Sequence, residues 1–170
     1  MNTPNILTAI RFVIIPFFGY YLYICNFKIA VSLFLLGGLT DVLDGYIARK
    51  FNMVTSWGKL ADPIADKFMQ LTALVLLTMQ NRIDTIILVI VIAKEAFMGV
   101  GSILLYRKEH FVVSANWYGK LATVVFYFAI IMIIFNVAYS KFFILIGVLS
   151  ALFAFFMYSV QYRKICYENK

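Results

Sequence analysis

Apolar runs of about twenty residues, separated by short polar links, follow one another along almost the whole chain. A helix of about 20 apolar residues is long enough to cross a lipid bilayer. Six such helices would use most of the 170 residues and leave no room for a separate soluble domain. Only 14% of the residues are charged, compared with about 25% in soluble domains. The sequence therefore predicts an all-α integral membrane protein with six transmembrane helices.

The N-terminus is predicted to form a short interfacial helix over residues 1–11, before the first crossing. Polar residues recur every three positions in this otherwise apolar segment: Asn5, Thr8 and Arg11. The six-helix bundle is then expected over residues 12–164, with a short tail at 165–170. Residues 1–170 would thus form one membrane domain, and no cleavable signal peptide is expected.

The basic residues predict which side of the membrane each end of the chain occupies. With six crossings both termini share a side, and all but three of the fifteen Lys and Arg residues fall there. The three on the other side are Lys28, Arg82 and Lys141. Because Lys and Arg accumulate in cytoplasmic loops, both termini are predicted to be cytoplasmic, in a plasma-membrane protein. The basic residues form no stripe with interleaved aromatics, so no nucleic-acid partner is expected.

Four of the eight acidic residues lie between Thr40 and Lys67. Asp41 and Asp44 are three residues apart, and Asp62 and Asp66 are four apart, so each pair shares one face of a helix. A short polar link between the pairs would allow an antiparallel helical hairpin. This spacing predicts four carboxylates gathered at the cytoplasmic end of that hairpin.

Four like charges near a membrane need compensation, because each costs at least about 2.5 kcal/mol within the bilayer. Nearby cations could supply it, and the candidates are Arg49, Lys59 and Lys67. Bound metal ions are the alternative: carboxylates without His or Cys favour a hard cation such as Mg²⁺ or Mn²⁺. Two such ions could clamp a phosphoryl group during an in-line displacement.

Two other interpretations remain open at this point. The carboxylates could be solvated side chains at helix ends, or they could line an ion or proton pathway. Neither explains the small residues on the same helix faces, which are Gly45, Ala48 and Gly58. Small residues leave room for a bulky ligand, and this favours a substrate site.

The complete pattern Asp41-x2-Asp44-Gly45-x2-Ala48-Arg49-x8-Gly58-x3-Asp62-x3-Asp66 resembles the signature of the CDP-alcohol phosphotransferase family. The opening Pro4-Asn5-x2-Thr8-x2-Arg11 is similar to the bacterial phosphatidylglycerophosphate synthase branch of that family. The resemblance implies a metal-dependent enzyme in which an alcohol attacks the β-phosphoryl group of a CDP-linked lipid and CMP is released. It also implies a homodimer.

The resemblance assigns roles to the matching residues. Two divalent cations, Mg²⁺ or Mn²⁺, would be held by Asp41, Asp44, Asp62 and Asp66. Asp66 would also be the catalytic general base for the acceptor hydroxyl. The CDP-linked donor would be bound by Asp41, Asp44, Gly45, Ala48, Arg49 and Gly58.

The acceptor alcohol is less constrained by the sequence. An anionic acceptor needs cations, and the candidate acceptor-binding residues are Thr40, Lys94, Arg107 and Lys120. Gly119-Lys120-x2-Thr123 resembles enzymes that transfer the phosphatidyl group from CDP-diacylglycerol to glycerol 3-phosphate. Lys94-Glu95 departs from the Arg-Glu typical of that branch, and the spacing of Arg107 is closer to the cardiolipin synthase branch, whose acceptor is phosphatidylglycerol. Glycerol 3-phosphate is the predicted acceptor, with phosphatidylglycerol or another alcohol as alternatives.

Overall fold

The computed structural model describes the backbone of residues 3–51, 56–109 and 117–168. Side chains are described for residues 6–48, 50–51, 61–99, 121–153, 155–157 and 160. These segments form six helices and contain no strand: α1 Thr3–Tyr23, α2 Phe27–Lys50, α3 Ser56–Met79, α4 Thr85–Glu109, α5 Trp117–Ile134 and α6 Ser140–Glu168. The all-α prediction is confirmed.

Two stretches among the described residues are long and apolar enough to cross a membrane: Ile6–Tyr23 in α1 and Ser140–Met157 in α6. Membrane insertion of the whole chain, with six crossings, stays a prediction. The chain divides into two compact units, Met1–Asn81 and Arg82–Lys170.

The N-terminal region differs from the sequence-based prediction. No separate interfacial helix covers residues 3–11; α1 runs without interruption from Thr3 to Tyr23, with Pro16 inside it. The physical reason is visible in Thr8 and Arg11, which are buried in the first unit rather than placed on an interfacial face. Thr8 and Arg11 therefore mark the inward face of α1.

In the first unit, α1 packs against both α2 and α3, which also contact each other. Phe18 of α1 and Phe34 of α2 are fully buried, and their ring centroids are 5.2 Å apart. α1 ends at Tyr23 and is followed by a left-handed residue, Cys25, and the amide of Asn26 donates to the carbonyl oxygen of Tyr21. This is a Schellman-type helix end, which turns the chain directly into α2.

α2 and α3 approach closely at Gly37. A Cβ atom placed on Gly37 would lie 2.2 Å from Cε of Met69, a fully buried residue of α3. A residue without a side chain lets the two helices pack closely at this position.

Replacing Gly37 with leucine is expected to lower the free energy of unfolding by about 1 to 3 kcal/mol, because the added side chain overpacks this contact. Gly99→Leu is the matched control, since a Cβ there meets nothing within 4 Å. Thermal unfolding of the purified variants in detergent measures the difference. Equal losses in the two variants would show that the Gly37 contact does not limit packing.

In the second unit, α6 packs against both α4 and α5. α5 and α6 meet closely at Gly147, where a Cβ would lie 3.2 Å from the ring of Phe126. Arg82 donates hydrogen bonds from Nη1 to the carbonyl oxygens of Ile133 and Ile134, at 3.3 and 3.0 Å. These carbonyls lie at the C-terminal end of α5. Arg82 therefore satisfies acceptors that the end of a helix leaves without an intrahelical donor.

Candidate active site at the carboxylate cluster

Three helices of the first unit bring the functional side chains together. Asp41 and Asp44 lie on the C-terminal half of α2, and Asp62 and Asp66 lie on the N-terminal half of α3. We call these four residues the carboxylate cluster. Electrostatic repulsion links Asp41 to Asp62 and Asp66, and Asp44 to Asp62, so the two pairs of charges act on each other across the two helices.

α1 supplies the positive charge that this repulsion requires. The side chain of Arg11 is fully buried, and its Nη1 lies 2.8 Å from Oδ1 of Asp41. Its Nη2 donates a hydrogen bond of 2.6 Å to Oδ2 of Asp44, whose side chain is only 2% exposed. One guanidinium therefore joins both carboxylates of α2, an arrangement that suits its planar, forked set of donors.

Arg11 is the residue that the sequence reasoning missed. The proposed counter-ions were Arg49, Lys59 and Lys67, which are near the acids along the chain. Lys67 is partly buried on α3, while the side chains of Arg49 and Lys59 lie outside the described residues. The signal for Arg11 was its spacing from Thr8 on an apolar helix, which had been attributed to the membrane interface.

Each acid of α3 accepts a hydrogen bond from a neutral side chain. The hydroxyl of Thr8 donates a short hydrogen bond to Oδ1 of Asp62, which ties α1 to α3. Nε2 of Gln70, one helical turn beyond Asp66, donates to Oδ2 of Asp66 at 3.3 Å. Thr8 and Arg11 thus place one face of α1 against both halves of the cluster.

The cluster was expected to hold divalent metal ions. Within the described residues, no three His, Cys, Asp or Glu side chains already converge on a single point suited to a metal ion. The carboxylate oxygens of Asp41 and Asp44 instead contact the guanidinium group of Arg11. Four carboxylates are nevertheless the hard oxygen donors that Mg²⁺ and Mn²⁺ prefer, and two of them already share one positive charge. The donor set fits such ions.

The remaining donor-site residues lie on the same two helices. Gly45 and Ala48 are partly buried and follow the acids of α2. Arg49 ends this motif on α2, and Gly58 lies in the first turn of α3. The side-chain environments of Arg49 and Gly58 are outside the described part of the chain.

The expected acceptor residues are divided between the two units. Thr40 is buried on α2 and donates a 2.7 Å hydrogen bond to the carbonyl oxygen of Gly37 in its own helix. In the second unit, Nζ of Lys94 forms a 2.5 Å ion pair with Glu95 on α4. Arg107 lies on α4 and Lys120 on α5, and their side chains are outside the described residues.

Comparison with known proteins places this site in a family. The model of the CDP-alcohol phosphatidyltransferase family matches residues 1–157. A protein of Rickettsia felis named CDP-diacylglycerol–glycerol-3-phosphate 3-phosphatidyltransferase is 42% identical over 97 residues, covering 55% of this chain and 54% of the relative. The chain thus spans about half the length of that relative.

Two other relatives with the same name match over longer segments. The protein of Aquifex aeolicus is 32% identical over 125 residues, covering 72% of this chain and 70% of the relative. That of Bacillus subtilis is 34% identical over 138 residues, with the same two coverages of 72% and 70%. The predicted resemblance is confirmed: this chain belongs to the CDP-alcohol phosphatidyltransferase family.

Proposed function

We propose that this chain transfers the phosphatidyl group of CDP-diacylglycerol to glycerol 3-phosphate, forming phosphatidylglycerophosphate and releasing CMP. The observation that carries the proposal is that one face of α1 binds acids of both α2 and α3: Arg11 pairs with Asp41 and Asp44, and Thr8 donates to Asp62. The names of the relatives in three bacteria support both the donor and the acceptor.

All four carboxylates of the cluster would hold two divalent cations, Mg²⁺ or Mn²⁺. When bound, such ions would neutralise the diphosphate of the donor and the charge that develops on the departing CMP. The chain's own residues supply the geometry. Thr8 fixes the carboxylate of Asp62, and Arg11 holds Asp41 and Asp44, so that α1 positions acids of both α2 and α3.

Asp66 is the proposed general base. Gln70 donates to one of its carboxylate oxygens and so orients the group on α3. The acceptor hydroxyl transfers its proton to Asp66 as its oxygen forms a bond to the β-phosphorus of the donor, and the bond from that phosphorus to CMP breaks. A carboxylate placed to receive this proton contributes by general base catalysis.

The small residues of the motif leave space for the donor. Gly45, Ala48 and Gly58 would allow the cytidine and its phosphates to approach the helix backbones, and Arg49 would support the diphosphate. For glycerol 3-phosphate, the proposed acceptor-binding residues are Thr40, Lys94, Arg107 and Lys120. The ammonium group of Lys94, which pairs with Glu95, would bind the phosphate of the acceptor.

We also propose that the chain spans the plasma membrane six times as a homodimer, with both termini and the cluster on the cytoplasmic side. Large apolar side chains are exposed on helices of both units, among them Val42 at 66%, Phe97 at 70% and Val124 at 66%. Exposed apolar surface of this kind is suited to lipid or to a second subunit. The acyl chains of the donor could then remain in the bilayer while its headgroup enters the cluster.

The direct test is CMP release by purified protein in detergent, with Mg²⁺ or Mn²⁺ and CDP-diacylglycerol. Glycerol 3-phosphate and phosphatidylglycerol are supplied as acceptors in parallel reactions. Release with glycerol 3-phosphate alone supports the proposal. Release only with phosphatidylglycerol would replace it with cardiolipin synthesis, and release with neither would remove both acceptors from consideration.

Chelation of divalent cations is expected to reduce CMP release by more than about 100-fold, because the diphosphate and the leaving CMP lose their counter-charge. The measurement is an initial rate in EDTA, followed by readdition of Mg²⁺ or Mn²⁺. EDTA already saturated with Mg²⁺ is the control for effects of the chelator itself. Activity that persists in excess EDTA would contradict the metal assignment.

A further inference from the structure

Arg11 is buried in a way that leaves its hydrogen-bonding capacity only partly used. Its side chain has no exposed surface. Nη2 donates to Asp44, whereas the contact of Nη1 with Asp41 is an ion pair without hydrogen-bond geometry. Nε has no hydrogen-bond partner among the described residues. Buried donors without partners cost free energy. The Arg11 side chain is therefore held here mainly by attraction to the two negative carboxylates.

The two carboxylates that hold Arg11 are also proposed metal ligands. Oδ1 of Asp41 and Oδ2 of Asp44 lie within 2.8 Å of guanidinium nitrogens. A divalent cation bound to the same oxygens would lie within a few ångströms of that positive charge. Repulsion between charges at this separation is strong in a site shielded from water. The guanidinium and the divalent cation therefore compete for the same oxygens.

The competition concerns only the α2 half of the cluster, because Thr8 and not Arg11 binds Asp62 of α3. Thr8 binds Asp62 through an uncharged hydroxyl, which leaves the charge of that carboxylate in place. Among the described residues, Arg11 pairs with the acids of α2, Asp41 and Asp44, so its displacement would free those two carboxylates. Release of Arg11 would leave the α3 half of the cluster as it stands.

We propose that Arg11 is a built-in counter-cation of the carboxylate cluster, which divalent metal ions displace from Asp41 and Asp44 when they bind. Arg11 is thus a positioning residue: it keeps the acids of α2 together in the metal-free protein and sets the concentration of metal needed to load the site. The inference rests on the proposed metal-dependent function.

The test is a titration of the purified protein with Mn²⁺ alone, followed by electron paramagnetic resonance of the free ion, in wild type and Arg11→Met. Removal of the competing charge is expected to lower the Kd for Mn²⁺ by about tenfold, given the strength of charge-assisted hydrogen bonds. Thermal unfolding is measured in parallel. Arg11→Met should unfold at a lower temperature than wild type without metal, and this difference should shrink when Mn²⁺ saturates the site.

Three further variants separate competition from general loss of structure. Arg11→Lys keeps a positive charge and should retain a Kd close to that of wild type. Arg11→Gln removes the charge but keeps a hydrogen-bond donor, so it should lower the Kd as Arg11→Met does, and it replaces the methionine variant if that protein does not fold. Arg82→Met removes a partly buried interaction at the end of α5. It should lower the unfolding temperature by the same amount with and without Mn²⁺ and leave the Kd unchanged.

The outcomes distinguish this inference from the proposed function. An unchanged or raised Kd in Arg11→Met, with wild type releasing CMP, overturns the displacement and leaves the proposed function standing. A cluster that binds no Mn²⁺ in either protein overturns the metal assignment and the displacement together. A lower Kd with no CMP release under any condition supports the displacement and contradicts the proposed transferase.

Discussion

Asp66→Asn is expected to reduce CMP release by about 10²- to 10⁴-fold, the range over which a positioned general base contributes. Asparagine has nearly the same shape as aspartate and keeps an oxygen that can accept the hydrogen bond from Gln70. It cannot take up the proton of the acceptor hydroxyl. The variant should therefore fold normally and lose turnover, which initial rates of CMP release at saturating substrate would measure.

Asp84→Asn is the matched control for this substitution. Asp84 is exposed immediately before α4 and is not part of the cluster, so its variant should keep the activity of wild type. Near-normal turnover in Asp66→Asn would show that another group takes the proton. If the acids instead line an ion or proton pathway, sealed vesicles would show metal- or proton-linked flux without any CDP compound, and CMP release would be absent in wild type as well.

Asp44→Ala is expected to destabilise the metal-free protein by about 3 to 5 kcal/mol, the usual cost of leaving one partner of a buried ion pair uncompensated. Arg11 would keep only its contact with Asp41, whose side chain is 41% exposed. The buried guanidinium would also lose its one hydrogen bond to a carboxylate. Unfolding in detergent with a chelator present measures the loss.

The contact between Arg11 and Asp44 also predicts the stability of a double variant and of Asp41→Ala. Arg11→Met combined with Asp44→Ala should recover part of the lost stability, because the orphaned charge is removed together with its partner. Asp41→Ala should cost less than Asp44→Ala, since Asp41 is partly solvated and Asp44 still binds Arg11. Additive losses in the double variant would mean that Arg11 and Asp44 do not stabilise each other.

Much of the site followed from local spacing. Residues three or four apart share a face of a helix whatever the rest of the fold does, so the two pairs of acids, and the small residues beside them, could be assigned to α2 and α3 in advance. The apolar runs likewise predicted helices, and the described residues form six. The continuity of α1 was not predicted, because polar residues on an apolar helix are equally compatible with a membrane interface and with a buried polar site.

The sequence by itself determined the helical class, the family and the arrangement of acids within each helix. Only the tertiary structure decided which side chains compensate those acids. Arg11 reaches Asp44 across 33 positions of the chain, and Thr8 reaches Asp62 across 54. Helical periodicity fixes neighbours within a few residues, whereas these contacts depend on how α1 packs against α2 and α3, and a list of nearby Lys and Arg residues contains no information about that packing.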